Sequence, residues 1–217
     1  MPYQFRYANG ESNFACEMKC TQCEHNIVTE KDATGKVTST KRCKLTACIG
    51  TPYCHVHLLS VSHLRIKAST LGKDAGKGLF AMGNKAQRAT PDKAIFKLED
   101  HIVYYGGEAI SKKTTDKRYP GDSTGPYAVQ AKTGDKKPND TRIEDAACMR
   151  GAGSLANNVP SNDKRLNAEL YYNTFTKRIG LLALRDIKHG EEIFVNYGDE
   201  YRFDGSHSTH PSRRKRA

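Results

Sequence analysis

Six of the seven cysteines fall between Cys16 and Cys54, and no other feature restricts the fold so tightly. They run Cys16-x3-Cys20-x2-Cys23, then after a gap Cys43-x4-Cys48-x5-Cys54-x2-His57. The first residues, Met1-Pro2-Tyr3-Gln4-Phe5-Arg6, carry no apolar stretch of the secretory kind, so such a crowd points to zinc before disulfides. A Cys-x-x-His step offers sulfur and nitrogen to one centre. The surrounding segment has few large apolar side chains and needs a staple to fold. Apparent zinc-binding energies of ~10–16 kcal/mol become folding energy in such modules. Cys23, Cys43, Cys54 and His57 form the preferred ligand set, with Cys20 and Cys48 as alternates. His25 and His55 read equally well as surface residues, six cysteines could instead hold two ions, and the bland alternative is a loose basic arm of reduced thiols.

Three blocks follow from composition. Residues 1–67 are the Cys/His-rich zinc-binding module, with a polar insert from Thr29 to Arg42 that reads as a hairpin or loop. Residues 68–201 alternate short apolar runs with Gly-, Asp- and Asn-rich turns, which is the pattern of many short strands. Residues 202–217 end in a basic tail, Arg213-Arg214-Lys215-Arg216. The net charge of +11 divides as +4, +3 and +4 over the blocks, so most of the excess lies outside the largest one. A terminal basic run is a solvated end, a nuclear address or a nucleic-acid contact. With 37% hydrophobic residues a packed core is expected, and no apolar window is long enough for a membrane span. The expected strands are Leu79 to Met82, Ile95 to Leu98, His101 to Tyr105, Thr174 to Arg185 and Glu192 to Val195; Asp163 to Leu170 is expected to form a short helical turn. The fold class is therefore mainly β with short helices and irregular connections.

Three segments carry chemistry. Leu71-Gly72-Lys73-Asp74-Ala75-Gly76-Lys77-Gly78-Leu79-Phe80-Ala81 tempts two nucleotide readings. As a phosphate-binding loop it is one residue short, and Gly78 stands where Ser or Thr should be. As a dinucleotide fingerprint, Gly76-x-Gly78-x-x-Ala81 lacks the strand before it and the βαβ unit after it. Its glycines more plausibly admit close approach of a ligand at a strand edge, a plain turn being the alternative. Arg150-Gly151-Ala152-Gly153-Ser154-Leu155-Ala156-Asn157-Asn158-Val159-Pro160 is irregular and rich in amides, which either cap turns or bind a polar ligand. Gly180 to Tyr201 gives a strand, a Lys188-His189-Gly190 turn, a second strand and a glycine-broken end with Tyr197 and Tyr201 four apart, which taken alone are core or rim aromatics.

In this order the segments resemble the SET-domain family of protein lysine methyltransferases. Gly76 to Ala81 is similar to the opening motif. Tyr104-Tyr105-Gly106-Gly107-Glu108-Ala109-Ile110 resembles the Tyr-x-Gly-Glu-x-Ile stretch. Asn157-Asn158 followed by Asn167-Ala168 stands for the Asn-His-Ser region, and Arg185-Asp186-Ile187 to Glu192-Ile193 with Asn196-Tyr197-Gly198 matches the closing motif. Asn158 and Val159 replace the family's His and Ser, Ser161 to Leu166 is inserted, and no Cys-x-Cys-x4-Cys zinc cap follows Tyr201. In that respect the chain resembles compact viral members.

The resemblance implies a SET-type β-fold with a pseudoknot-like crossing segment, preceded by the zinc module. It implies methyl transfer from S-adenosylmethionine to a lysine amine, expected on a histone tail. Tyr197 would be the catalytic tyrosine, Tyr201 would help close the channel and Tyr127 would form a third wall. Lys77, Gly78 and Leu79 would meet the cofactor, with Asn157 at its amino-acid end and Asn158 on its adenine side; Tyr197 would adjoin it. Val195, smaller than the Tyr that mono-methylating members often carry two before the catalytic tyrosine, leans towards higher methylation states. The alternatives are a weak or inactive SET-like protein that binds chromatin or nucleic acid through its zinc module, and a dinucleotide-dependent enzyme, to which a parallel sheet would point. Because a histone tail is basic too, either local acid such as Asp199 and Glu200 or attraction of the basic arms to nucleosomal DNA must bring the partners together. Nuclear action is a further expectation, and the oligomeric state stays open, a dimer being one option.

Overall fold

A computed structural model of the chain describes residues 3–6, 12–16, 20–47, 51–84, 87, 90, 92–120, 127–132 and 141–198. Short apolar runs broken by turn formers give short strands, as the sequence pattern predicts. In chain order these are β1 (Tyr3–Arg6), β2 (Ser12–Cys16), β3 (Thr21–Gln22), β4 (Asn26–Lys31), β5 (Val37–Arg42), β6 (Thr46–Ala47), β7 (Leu64–Ala68), β8 (Lys77–Ala81), β9 (Ala94–Phe96) and β10 (His101–Tyr104). There follow β11 (Glu108–Ile110), β12 (Ala128–Lys132), β13 (Thr141–Asp145), β14 (Asn157–Asn158), β15 (Ala168–Asn173), β16 (Arg178–Ala183), β17 (Ile187–Lys188) and β18 (Glu192–Val195). Two α-helices are described over their whole length, α1 (His55–Ser62) and α2 (Lys112–Arg118). No helix among them is long and apolar enough to cross a membrane.

The central sheet has the order β14-β18-β8-β7. Its inner strands join the two ends of the sequence reading: Glu192 pairs with Phe80 and Ile193 with Leu79 across the antiparallel β18–β8 ladder. On the other side of β18, Asn157 and Asn158 run parallel to it, opposite Phe194 and Val195. That two-residue rung is the one parallel pairing among the described strands, and β7 and β8 form an antiparallel pair. No βαβ unit surrounds Gly76–Ala81 among the described residues, so the dinucleotide reading is corrected. There are also two three-stranded antiparallel sheets, β10-β16-β15, whose β15 packs on β18, and β11-β13-β12, which meets β15 and β16. The main core unites Leu58 and Leu64 with Leu79, Ala81, Ile102, Leu181, Ile187, Ile193 and Val195, all buried.

The structure corrects one expected element and adds others. Asp163 to Leu170 forms no helical turn; it is a tight turn around Asp163 and the start of β15. Asp163 Oδ1 accepts the Arg165 amide at 2.8 Å, which spends a helix-start residue on a local turn, and Ala168–Asn173 then pairs throughout with β16. Within Thr174 to Arg185, only Arg178–Ala183 is strand, because Asn173 Oδ1 takes the amides of Phe175 and Thr176 and closes a hairpin turn. The Thr29 to Arg42 insert is part of the β4–β5 hairpin. Helix α2, KKTTDKR, has no apolar stripe to announce it; Ser111 caps it by accepting the Thr114 amide at 3.1 Å.

Candidate functional site

The site is built on the crossing of residues 156–159 over the closing strand. Val159 donates its amide to the Val195 carbonyl at 2.9 Å. Asn196 Nδ2 donates back to the Val159 carbonyl at 2.9 Å, while its Oδ1 takes the Gly198 amide. The Tyr197 amide donates to Asn158 Oδ1 at 2.8 Å, and its phenol to the Ala156 carbonyl at 2.5 Å. Asn157 turns the other way: its Nδ2 donates to the Lys77 carbonyl at 3.1 Å and to Glu192 Oε1 at 3.0 Å. The two neighbouring amides thus tie Tyr197 on one side to the Gly76–Gly78 strand on the other. Asn167, buried, secures β18 by donating to the Glu192 carbonyl and accepting the Phe194 amide, each at 2.8 Å.

Glu192 is the residue that reading the sequence for chemistry passes over. It is buried, and its carboxylate accepts from Ser69 Oγ at 2.7 Å, from the Thr70 amide and hydroxyl at 2.6 Å each, and from Asn157. Burial alone would raise its pKa, but these donors hold it below the ordinary carboxylate value. The carboxylate also explains Gly78: a Cβ there would run into Glu192 and crowd Asn157 Nδ2. The close approach that requires glycine at this position is therefore made by a side chain of the protein itself. Its sequence signal was the second acid of Glu191-Glu192, with no hint of donors more than 120 residues away.

Tyr105, the second tyrosine of Tyr104-Tyr105-Gly106, has a structural part in the site. It is buried and donates to the Tyr127 carbonyl at 2.9 Å. The glycines on either side explain how its strand meets the crossing segment: a Cβ on Gly106 would strike Gly151, and one on Gly151 would strike Tyr105 and Gly106. Ser154 donates its amide to the Tyr105 carbonyl at 3.1 Å. Tyr127 packs with Tyr105 and Val129, and the Arg150 guanidinium lies 4.2 Å from its ring centre. Tyr197 packs against the main core instead. Leu79 is buried in that core, whereas Lys77 is exposed. Tyr201, with Asp199 and Glu200, lies outside the described residues, as do Cys48 and the basic tail.

A second centre lies ahead of the central sheet. The ligand atoms of Cys23, Cys43, Cys54 and His57 all lie within 4.8 Å of one another. His57 Nδ1 is 3.3 Å from both Cys23 Sγ and Cys54 Sγ. All three cysteines are buried and free of disulfides. Three thiolates and an imidazole make a closed, soft donor set of the kind that holds structural zinc. Backbone amides of Cys54 and Leu45 point at Cys23 Sγ (3.3 Å) and Cys43 Sγ (3.4 Å), as partners to thiolates should. Burial, with the His25 ring stacked 4.0 Å away, lowers the His57 pKa and favours the neutral, ligating imidazole. The four are the set preferred from the sequence. Cys20 is exposed, disulfide-bonded and outside the cluster, and His25 serves as a stacking neighbour.

The SET domain family model matches residues 20–198, and the chain belongs to that family of protein lysine methyltransferases. Among solved structures it is similar to the polycomb repressive complex 2 of Chaetomium thermophilum, at 25% identity and TM-score 0.44 over 63% of this chain and 15% of that one. It is also similar to SET8 of Cryptosporidium, at 22% identity and TM-score 0.41 over 64% and 58%. The methyltransferase domain of human PR domain-containing protein 2 matches at 17% identity and TM-score 0.44, over 66% and 83%. This chain thus spans only a small part of the first of these. No curated protein matches it.

Proposed function

We propose that the chain transfers a methyl group from S-adenosylmethionine to the ε-amine of a lysine in a histone tail, acting in the nucleus. The observation that carries this reading is the lacing of Tyr197 through Asn158, and of the Lys77 carbonyl through Asn157, around a single strand. When bound, S-adenosylmethionine supplies an electrophilic methyl and a sulfonium charge. Lys77, Gly78, Leu79, Asn157 and Asn158 would hold it, the two amides already being fixed by hydrogen bonds. A free lysine is almost wholly protonated at pH 7, and neutralising it costs about 4–5 kcal/mol. A tyrosine-lined channel lowers that cost by desolvation, and a nearby cation lowers it further. The Tyr197 phenol, whose proton is committed to the Ala156 carbonyl, keeps its oxygen lone pairs for the amine's N–H and can orient it without acting as a strong base. Tyr127 and Tyr201 complete the channel in this proposal, and Val195 leaves room for more than one methyl. Residues 68–201 form the catalytic domain, residues 1–67 the zinc module and residues 202–217 a basic tail.

The test is radiolabelled methyl transfer to separate histones by the native chain and by Tyr197→Phe. Label is expected on a lysine, with a loss of about 100-fold or more in the variant, the scale of removing one preorganised polar group from a reacting centre. Equal labelling removes Tyr197 from its role. Calorimetric titration that detects no S-adenosylmethionine affinity leaves a SET fold used only for binding.

A further inference from the structure

Among the described residues, the hairpin β4–β5 contributes to no core. Its residues are exposed almost throughout, none belongs to a buried cluster, and Ile27, Val28 and Val37 keep 44–45% of their surface accessible. Isolated two-stranded hairpins are marginal in water, yet this one is fixed at both ends. At its base stand Cys23 and Cys43, two of the four metal-ligand residues. There Cys43 donates its amide to the His25 carbonyl at 2.8 Å, and Arg42 bridges the Cys23 and Gln22 carbonyls at 3.0 and 2.9 Å. At its tip, Asp32 Oδ1 accepts from the Thr34 amide, the Thr34 hydroxyl and the Lys36 amide. Half of the donor cluster thus stands at the foot of a ribbon that covers nothing among the described residues, while Cys54 and His57 stand at the start of α1, whose Leu58 enters the main core.

The ribbon's side chains state what it would meet. Lys31, Lys36 and Lys41 are exposed and form no ion pair among the described residues. Of the two acids between Asn26 and Arg42, Asp32 is engaged in its own turn. Thr38 and Thr40, between Lys36 and Lys41 in sequence, add exposed hydroxyls on β5. The apolar residues are scattered through this pattern and form no continuous patch: Ile27 faces Lys41, and Val37 faces Lys31. Six-residue strands span about 20 Å, and a two-stranded ribbon is one of the shapes a DNA major groove admits. Lysines and hydroxyls are the usual partners of phosphate and sugar. We infer that the metal-clipped ribbon Asn26–Arg42 is a duplex-DNA-binding arm that lays its lysines on the phosphate backbone without reading sequence. The inference rests on the ribbon and the metal cluster, so it stands or falls separately from methyl transfer.

The test uses the zinc-loaded full chain and a fluorescein-labelled, mixed-sequence duplex of about two helical turns, followed by anisotropy across a salt series. Lys31→Ala, Lys36→Ala and Lys41→Ala are combined in one variant. A second variant removes three exposed lysines elsewhere, Lys113, Lys117 and Lys164, for the same change in net charge. Loss of three phosphate contacts predicts that the ribbon variant binds about 10- to 100-fold more weakly, with a salt slope smaller by about 2–3. The second variant should stay within about threefold of native binding, as distant charge predicts. Unchanged zinc stoichiometry and unfolding midpoint exclude misfolding, and a triple Lys→Arg variant should retain binding. Equal losses in both Ala variants, no loss in the ribbon variant, or no duplex binding by the native chain each overturn the inference. So does self-association that depends on the ribbon while the duplex goes unbound.

Discussion

The ribbon Asn26–Arg42 and the closing strand Glu192–Val195 are both short β elements, and they are held by opposite means. The ribbon has sequence-local pairing, exposed faces and a four-residue donor cluster at its foot. The closing strand is entirely buried, and its partners come from Leu79–Phe80, Asn157–Asn158 and Asn167. A local element can stand without a core if a few strong bonds clamp its ends. A non-local one needs every buried polar group on it answered.

Metal removal should break the comparison most sharply. Chelation, or Cys54→Ser, is expected to remove protection from amide exchange at residues 26–42 and in α1, with apparent losses of up to ~10 kcal/mol locally. The β15–β16 ladder should stay protected. Uniform loss across both regions would show that the two do not fold by separate means.

Glu192→Gln tests the other side. It keeps the shape but loses the charge and places an N–H against donors from Ser69 and Thr70, a cost of about 1–3 kcal/mol by thermal unfolding. Because the native pKa of Glu192 lies below its unfolded value, the unfolded state binds more protons between the two. The carboxylate's stabilisation is therefore complete above the unfolded pKa and lost as pH falls through the native one. The acid limb of the midpoint-against-pH curve should be shallower in the variant; curves of the same shape would exclude Glu192 as a source of that limb. Smallest of all, Asp116→Ala breaks an exposed pair with Lys112 at 2.6 Å. Its unfolding midpoint should be indistinguishable from native, since such surface pairs contribute little.

The sequence made the local features plain and the long-range ones obscure. Cys-x-x-His spacing marked Cys54 and His57 as donors, while Cys20 and Cys48 stayed open beside Cys23 and Cys43 until the fold gathered four of them, and a polar insert between Cys23 and Cys43 marked the ribbon. Glu192 to Val195 was readable as a strand because a Gly190 turn precedes it and Asn196-Tyr197-Gly198 ends it. Asp163 to Leu170 misled because Asp163 is equally good as a helix start and as the acceptor in a tight turn, and only pairing with β16 decides between them. Helix α2 lies on the surface with no apolar face to betray it. The importance of Glu192 could not be read from its neighbours, since all its side-chain donors lie on distant segments.

The two-residue parallel rung at Asn157–Asn158 orders events during synthesis. The strand it pairs with is flanked on its other edge by residues 79 and 80, so the rung cannot form until residue 195 has emerged from the ribosome, nor the Tyr197 contacts until residue 197 has. The four donors at the ribbon's foot are all present once α1, which ends at Ser62, has emerged. In a growing polypeptide the donor cluster at the foot of the ribbon is therefore complete well before the lacing around Tyr197.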